Sequence, residues 1–396
     1  MHPAFRNPLV PLQHLRKQAA RLVFAMFALL ISGCGGQPGG ADERGPSRQP
    51  REVEPTVEPQ SSVKPTSEIY LNGLQIPSAL TFAPDGRLFF VEVNAGRIRV
   101  AIGTELQAES VHTIPVAQNA ESGLLGMTLD PDFLINHYVY AYYTVPDPTD
   151  VTLGLMNRVI RFTEQSGRSS DVVTILDNLP VNVIGPPDFH QGGSLAFGPD
   201  RKLYVSIGDV GKPESSQDPG TAAGKILRVN ADGSIPADNP FPGSAVFALG
   251  FRNVWGMTFH PTTGVLYASE NGSKSHDEVN VIYAGKNYGW PVAEGTSKNS
   301  RYADPLWDSG SSGLSARNGM VGLTFYHGSV FPELQGDLLF CAFKTGRIRR
   351  ATLTGPSFER IQSISRLEGE CRLDITVGPD GAIYTSNITQ ILRLAR

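Results

Sequence analysis

The chain has 396 residues and a formal net charge of −4 at pH 7. Because it has a net negative charge and no basic stripe, it is poorly suited to phosphate binding, so nucleic acid is not an expected partner. The 42 Gly and 30 Pro residues are typical of a turn-rich all-β protein rather than a helical one.

The N-terminal segment has the pattern of an export signal. Basic residues at positions 6, 16, 17 and 21 precede an apolar run, 22–30, that is too short to span a membrane. The following Ile-Ser-Gly-Cys resembles a bacterial lipobox, which implies that residues 1–33 are removed and that Cys34 carries a lipid. This predicts an exported bacterial lipoprotein, periplasmic or on the cell surface, that meets the membrane only through its lipid anchor. The alternative is an ordinary signal peptide followed by an incidental cysteine.

Residues 34–66 are expected to form a tether. They consist largely of Gly, Pro, Glu, Arg and Ser, with few apolar side chains. Such a segment cannot bury enough apolar surface to fold and is predicted to be disordered. The folded domain is therefore expected over residues 67–396.

A hairpin phrase recurs through this domain. Its clearest copy, Leu80–Phe90, reads LTFAPDGRLFF: an apolar run, a tight Pro-Asp-Gly turn and a second apolar run with aromatic residues. Related copies begin at Leu125, Leu195, Met257, Leu323 and Ile375. Repeats of strand, turn and strand are the signature of a radial all-β array. The sequence therefore predicts a six-bladed β-propeller of four-stranded antiparallel blades, with function in the loops at one end of a central channel.

A candidate general base precedes the third hairpin. His190 lies in the segment Asp-Phe-His-Gln-Gly-Gly-Ser at 188–194, where a loop leads into an inner strand. A neutral imidazole near the channel mouth can take a proton from a substrate hydroxyl. The alternative is a histidine that only hydrogen-bonds its own loop.

Two further segments carry polar groups that could bind a ligand. Arg252 and Asn253, between glycines, could present donors to an anionic or carbonyl-rich ligand, although local sequence alone favours a structural salt bridge. The segment 270–280 combines a Gly-containing turn with clustered Asp and Glu residues, which suits calcium, although its spacing is not that of an EF-hand.

Two cysteines remain in the folded part, Cys341 and Cys371. They lie in the last two repeats, which are neighbours in a ring, and an exported protein experiences an oxidising compartment. A disulfide is therefore possible. The alternative is a pair of unpaired small hydrophobic residues.

Together and in order, several stretches resemble the glucose/sorbosone dehydrogenase family. The matching stretches are 121–126 with 130–133, His190 with 192–193, 224–236 with 238–240, 249–253, 277–280 and 287–291. They extend over nearly all of the folded part. The resemblance implies a six-bladed propeller that binds pyrroloquinoline quinone (PQQ) and calcium. It also implies that the enzyme oxidises the anomeric hydroxyl of a sugar to a lactone, with hydride passing to the quinone.

The resemblance also implies roles for individual residues. His190 would be the base, and Arg252, Asn253 and Lys344 would contact PQQ. Calcium next to PQQ would be bound by the carbonyl groups of Gly272 and Ser273. A second, structural calcium site is implied at Asp277, Glu278 and Tyr288.

The sequence departs from the family pattern at three positions. The family has Arg-any-Arg before the last inner strand, where two cations face the PQQ carboxylates. Here the residues are Cys371, Arg372 and Leu373, and strand alternation predicts that Arg372 points to the opposite face. Glu121 replaces a glutamine, which adds negative charge near an anionic cofactor, and Trp255 replaces a smaller polar residue.

Three functions follow from these observations. The first is a PQQ- and calcium-dependent aldose dehydrogenase. The second is a propeller without redox chemistry, or with another cofactor, that binds a sugar or a surface partner; the Arg372 departure favours it. The third is a calcium-dependent lactonase, for which the sequence offers no assignable metal cage in the channel.

Overall fold

The computed structural model describes residues 61–119, 121–182, 190–310, 318–355 and 360–396. The predicted signal peptide, Cys34 and the tether as far as residue 60 lie outside these ranges. The described residues all belong to one unit, Glu54–Arg396. Within them, no helix has the length and apolar character needed to cross a membrane.

Six antiparallel sheets follow one another along the chain and form the blades of a propeller, as predicted. After strand β1 (Thr66–Asn72), the first blade contains β2 (Pro77–Phe82), β3 (Leu88–Glu92) and β4 (Arg97–Ile102). The short strands β5 (Glu105–Leu106) and β6 (His112–Thr113) both pair with β4 and share the outer position of this blade.

The second and third blades have four strands each. The second contains β7 (Leu124–Leu129), β8 (Tyr138–Pro146), β9 (Gly154–Gln165) and β10 (Arg168–Leu179), with a short helix α1 (Phe133–Asn136) between its first two strands. The third contains β11 (Gly192–Phe197), β12 (Leu203–Ile207), β13 (Lys225–Val229) and β14 (Val246–Leu249). A 3₁₀ turn (Pro213–Gln217) lies in the loop between β12 and β13.

The fourth and fifth blades repeat this plan. The fourth contains β15 (Val254–Phe259), β16 (Leu266–Glu270), β17 (Glu278–Ile282) and β18 (Trp307–Asp308). The fifth contains β19 (Met320–Phe325), β20 (Leu338–Ala342), β21 (Arg347–Thr354) and β22 (Arg360–Leu367), with a 3₁₀ turn (Pro332–Leu334) after its first strand.

The sixth blade closes the ring with strands from both ends of the domain. It contains β23 (Ile375–Val377), β24 (Ile383–Ser386) and β25 (Gln390–Ala395), and β1 supplies its outer strand. Residues 66 to 72 of β1 run antiparallel to residues 395 to 390 of β25. The start and the end of the domain are therefore held together by one ladder of backbone hydrogen bonds.

The domain begins slightly earlier than its predicted start at residue 67. The backbone N–H of Ser61 donates to the carbonyl of Arg366 over 2.8 Å. Val63 is 5% exposed and packs into the hydrophobic core that includes the last two blades. Residues 61–65, which composition assigned to the tether, therefore contact the propeller.

Each hairpin phrase forms the two inner strands of a blade, and the core lies between neighbouring blades. Tyr267 of β16, for example, meets Phe325 of β19 edge to face, with ring centroids 4.9 Å apart. The innermost strands surround a narrow central cavity of about 190 Å³.

Strand register brings the candidate loops to one end of this channel. In each blade the innermost strand begins opposite the end of the second strand, as in the pairs Gly192–Ile207, Val254–Glu270 and Met320–Ala342. Loops that precede an innermost strand and loops that follow a second strand therefore share one end, here called the mouth. The segments that matter for the site are 121–123, 190–191, 208–211, 250–253, 271–277, 318–319, 343–346 and 371–374.

Candidate functional site

A histidine and a buried carboxylate meet at the mouth. His190 comes just before β11, and Asp209 follows β12 of the same blade. Their Nδ1 and Oδ1 atoms are 2.6 Å apart, and the Asp209 side chain is 0% exposed. The N–H of Gly211 and the indole N–H of Trp290 also donate to this carboxylate, over 2.9 and 2.8 Å. Burial alone would raise the pKa of Asp209, but these hydrogen bonds outweigh it and the pKa is lowered. Asp209 is thus ionised at neutral pH and fixes the ring of His190.

Glu121 holds both His190 and Asn253. One of its oxygens accepts the backbone N–H of His190 over 2.6 Å and the side-chain amide of Asn253 over 3.0 Å. The amide oxygen of Asn253 in turn accepts the N–H of Gly192 over 3.2 Å. Since His190 has a positive φ of 62°, its conformation is uncommon for a side-chain-bearing residue and depends on such contacts. The second and fourth blades are thereby joined around the histidine.

Arg252 lies beside this group at the start of the fourth blade. Its Nη1 donates to the carbonyl of Asn271 over 3.0 Å, and its guanidinium carbon is 5.6 Å from the centre of the Trp290 ring. Its backbone N–H donates to Glu270 over 2.5 Å. Arg252 is therefore held against the acidic turn of its own blade, with an aromatic face beside it.

Asp277 organises the turn that was predicted to bind calcium. Its Oδ1 accepts the N–H of Gly272 over 3.1 Å, and its Oδ2 accepts the N–H groups of Asn318 and Gly319 over 2.5 and 2.9 Å. Burial raises its pKa despite these hydrogen bonds. A side chain at Gly272 would come within 1.8 Å of the carbonyl oxygen of Ser275, so the tight turn requires glycine. Asp277 therefore orders backbone groups of the fourth and fifth blades.

Ser273 lies at the rim of the same turn. Its hydroxyl donates to Glu294 over 3.1 Å, and its backbone N–H donates to the same carboxylate. A carboxylate from the loop 294–306 thus fixes the turn from outside.

Two buried glutamates face each other next to this turn. The amide of Asn280 donates to Glu270 over 3.2 Å and to Glu278 over 3.0 Å. Burial raises the pKa of Glu278 to about 7, and burial together with the charge of Glu278 raises that of Glu270. The amide oxygen of Asn271 lines the same small cavity and is buried without a hydrogen-bond partner. This oxygen-rich pocket would be stabilised by a cation.

The side-chain donors alone do not complete a metal site. Among the described ranges, no group of three or more His, Cys, Asp and Glu residues is arranged to hold a metal ion. Calcium often takes amide and backbone oxygens in addition to carboxylates, so the unsatisfied oxygen of Asn271 is the observation that fits a cation here.

Tyr288, which the resemblance implied at the structural calcium site, has its phenol inside the core. The hydroxyl of Tyr288 donates to the carbonyl of Val281 over 2.6 Å and accepts the N–H of Tyr283 over 3.0 Å. Its ring stacks on Phe251 with centroids 4.6 Å apart, and the residue is 6% exposed. Both hydrogen-bonding roles of the phenol are used inside the core, which leaves its side chain unsuited to act as a metal ligand.

Lys344 and Arg372 approach the mouth from the fifth and sixth blades. Lys344 lies in the turn after β20, and its charge helps to offset the effect of burial on the pKa of Asp277. Arg372 donates through Nε to Glu370 over 2.7 Å, and through Nη1 to the carbonyls of Phe343 and Lys344 over 3.0 and 3.2 Å. The alternation used to predict its direction does not apply, because β23 begins only at Ile375. Its guanidinium instead points sideways to the neighbouring blade.

Cys341 and Cys371 form a disulfide, with Cα atoms 5.4 Å apart. Both residues are 0% exposed. The bond joins the end of the fifth blade's second strand to the segment that leads into the sixth blade. Of the two possibilities left open by the sequence, the disulfide is the one confirmed.

The sequence analysis did not single out Asp209, and it gave no individual role to Glu270 or Trp290, which lie in segments that it did name. A usable signal was present, since Asp209 and Glu270 lie at or just after the ends of β12 and β16, the second strands of their blades. In a propeller this is the position that reaches the mouth. The pairing of Asp209 with His190 and of Glu270 with Glu278 depends on tertiary structure, because in each case the two residues lie at the ends of different strands of one blade.

Fold and site together define a class of protein: six-bladed propellers with a histidine–carboxylate pair, an arginine and an acidic turn at the channel mouth. The sequence profile of the Glucose / Sorbosone dehydrogenase family matches residues 74–393. The chain belongs to this family.

Individual relatives agree with this assignment. Quinoprotein glucose dehydrogenase B of Acinetobacter calcoaceticus is 35% identical over 261 residues, which cover 60% of this chain and 54% of that protein. An uncharacterized protein of Synechocystis sp. is 31% identical over 364 residues, 82% of this chain and 85% of that protein. The solved structure of the PQQ-bound aldose sugar dehydrogenase from Streptomyces coelicolor matches with a TM-score of 0.69 at 28% identity, over 86% of this chain and 99% of that one.

Proposed function

We propose that this protein is a PQQ- and calcium-dependent dehydrogenase that oxidises an aldose at its anomeric carbon to the lactone. The observation that carries the proposal is the pairing of His190 with the buried Asp209, 2.6 Å apart at the mouth. Family membership and the PQQ-bound relative from Streptomyces coelicolor support the choice of cofactor and substrate class.

His190 would act as the general base. An ionised Asp209 accepts the Nδ1–H, so the lone pair of the neutral ring lies on Nε2. Nε2 can then take the proton of the anomeric hydroxyl, and Asp209 stabilises the imidazolium that results. PQQ, when bound, supplies the acceptor for the hydride that leaves the sugar carbon.

The residues at the mouth fit a planar anionic cofactor. Arg252 and Lys344 supply positive charge, Asn253 supplies an amide donor beside His190, and Trp290 supplies an aromatic face. The family's two additional arginines are replaced by one, which is engaged with backbone carbonyls. Loss of two charge-assisted bonds would weaken cofactor binding by roughly a hundredfold or more.

Calcium is proposed at the acidic turn of the fourth blade. The carbonyls of Gly272 and Ser273 would serve the ion that accompanies PQQ, as the resemblance implies. Glu270, Glu278 and the amide oxygen of Asn271 would hold a structural ion. Calcium accepts such mixed oxygen ligands, and its charge would relieve the repulsion between the two glutamates.

Reconstitution of residues 61–396 with PQQ and calcium tests the proposal. We expect micromolar or tighter PQQ binding and dye reduction with at least one aldose. His190→Ala should abolish turnover while PQQ remains bound. The matched control is His327→Ala, an exposed histidine between β19 and β20 at the opposite end of the channel.

The alternative is a propeller of this family that binds a sugar or a surface partner without redox chemistry. The departure at residues 371–373 favours it, because one arginine stands where the family has two and its guanidinium is already bonded to Glu370 and to backbone carbonyls. Sugar binding to a protein that fails to take up PQQ at micromolar concentration would decide for this alternative.

We also propose that the protein is exported and carries a lipid on Cys34. The basic and apolar pattern before the Ile-Ser-Gly-Cys sequence supports this. Labelling of the full chain with radioactive palmitate in a bacterial host should mark the wild type and not Cys34→Ala. Equal labelling of both would contradict lipidation at this cysteine.

A further inference from the structure

The segment before the sixth blade grips the turn that carries Lys344. The Nη1 of Arg372 donates to the carbonyls of Phe343 and Lys344 over 3.0 and 3.2 Å. The backbone N–H of Cys371 donates to the carbonyl of Gly346 over 2.9 Å. Two residues of this segment thus bind three carbonyl groups of the neighbouring blade's turn.

Arg372 is itself held in place. Its Nε donates to Glu370 over 2.7 Å, and the other oxygen of Glu370 accepts the amide of Asn387 over 3.1 Å. A guanidinium is a rigid planar fork, so fixing Nε also fixes the direction of Nη1. This arrangement commits the arginine to the turn.

Two features bring the segments close enough for this contact. The disulfide from Cys371 reaches Cys341, which lies just before the turn. Gly346 has a φ of 65°, and a side chain there would meet Nη2 of Arg372 at 3.2 Å. A larger residue at this position would be strained and would crowd the guanidinium.

The other side of the turn is equally constrained. The N–H groups of Phe343 and Lys344 donate to the carbonyls of Gly319 and Asn318, each over 2.9 Å. The N–H groups of Asn318 and Gly319 donate to the carboxylate of Asp277. The root of the Lys344 side chain is therefore held from the fourth, fifth and sixth blades at once.

We infer that Arg372 is a positioning residue that acts on an anionic ligand through the Lys344 turn. The inference rests on the proposed function, in which Lys344 contacts the cofactor. Pairing a lysine with an anion costs conformational entropy, both of the side chain and of the backbone that carries it. Because the turn is already fixed, little backbone entropy remains to be lost when the anion binds. Arg372, the middle residue of 371–373, would thus hold Lys344 in position to bind the cofactor and would not contact the cofactor itself.

A double-mutant cycle with Arg372→Met and Lys344→Met tests this inference. Arg372→Met should weaken PQQ binding, by at most the roughly ten- to hundredfold effect of losing the charge-assisted bond of Lys344. It should have little further effect once Lys344 is methionine. Additive losses would overturn the inference, because they would mean that Arg372 contacts the cofactor itself. Unchanged PQQ binding in Arg372→Met would also overturn it.

Hydrogen exchange of the cofactor-free protein gives an independent readout. The amides of Phe343 and Lys344 should exchange at least tenfold faster in Arg372→Met, while those of the opposite end stay unchanged. Arg372→Lys keeps the positive charge but loses the planar guanidinium, so the amides of Phe343 and Lys344 should again exchange faster. This variant replaces Arg372→Met if the methionine variant fails to fold. Unchanged exchange in both would refute the positioning role.

The control is Arg396→Met, which removes an arginine that contacts Val330 and Glu333 at the far end. It should leave both readouts unchanged. If the wild type binds no PQQ, the proposed function fails and with it the role toward the cofactor. The exchange measurement still shows whether Arg372 orders the turn.

Discussion

Glu121 accepts the backbone N–H of His190 over 2.6 Å. Its side chain is a carboxylate, so it also adds a negative charge to the mouth. The same oxygen accepts the amide of Asn253 over 3.0 Å. A glutamine could supply the same acceptor through its amide oxygen, without the charge. The carboxylate thus combines a useful hydrogen-bonding geometry with an unfavourable charge for an anionic cofactor.

Glu121→Gln should therefore tighten PQQ binding and leave His190 in place. Removal of one like charge at the mouth is expected to lower the dissociation constant by about tenfold, on the scale of partly exposed charge pairs. Isothermal titration with PQQ measures the change. Glu121→Ala, which leaves the N–H of His190 without this acceptor, is the contrasting variant and should lose turnover. Weaker PQQ binding by Glu121→Gln would contradict the electrostatic argument.

Asp209→Asn should impair the base without removing the cofactor. An asparagine at this position can donate to Nδ1 and so favour the wrong tautomer of His190. The turnover number should fall on the order of a thousandfold or more. Steady-state kinetics with saturating PQQ measures it, and the exposed Asp232→Asn at the opposite end is the control. A turnover number within threefold of the wild type would exclude the proposed role.

Calcium should stabilise the protein through the two buried glutamates of the fourth blade. Burial raises the pKa of Glu278 to about 7 and also raises that of Glu270, so both carboxyls gain from a nearby cation. Chelation should lower the melting temperature of the wild type, and Glu278→Gln should respond less. The exposed Glu105→Gln on the first blade is the control. Identical responses to calcium in all three proteins would contradict a site at Glu278.

We expect the buried carboxyl of Asp374 to make the protein less stable as pH rises. It lines the channel and accepts the N–H groups of Leu80 and Ile375 over 2.6 and 2.9 Å. Burial raises its pKa from 3.8 to about 6. The folded state therefore binds more protons than the unfolded state between these values. The stabilising contribution is present at low pH and is lost as pH rises through 6.

Asp374→Asn removes this titration and should gain stability relative to the wild type as pH rises from 4 to 7. Urea unfolding at each pH gives the difference in the free energy of unfolding. Parallel curves for the two proteins would show that Asp374 does not titrate in this range.

The repeats were sufficient to predict the fold, because every hairpin phrase carries its own turn and its own pair of apolar strands. They also place His190, Arg252 and Lys344 next to inner or second strands, and hence at one mouth. The roles of Asp209 and Glu270 could not be predicted in the same way, since each role depends on a contact with a residue of another strand. The packing of the Tyr288 ring on Phe251 was likewise not predictable from the sequence.

The partners of Arg372 could not be predicted for a different reason. Alternation holds within a strand, and this residue lies before β23. Its partners are backbone carbonyls of the neighbouring blade, which leave no mark in the sequence. Loop residues between repeats are therefore the part of such a site that needs a structure.

The ladder between β1 and β25 means that the propeller can close only after the last strand has been synthesised. The blade that these strands complete carries Arg372, while His190, Arg252 and Lys344 come from three earlier blades. A nascent chain that lacks residues 390–395 has most of the propeller but no closed ring around the mouth. Ligand affinity would thus be acquired in one late step, when the last strand made meets the first, rather than growing blade by blade.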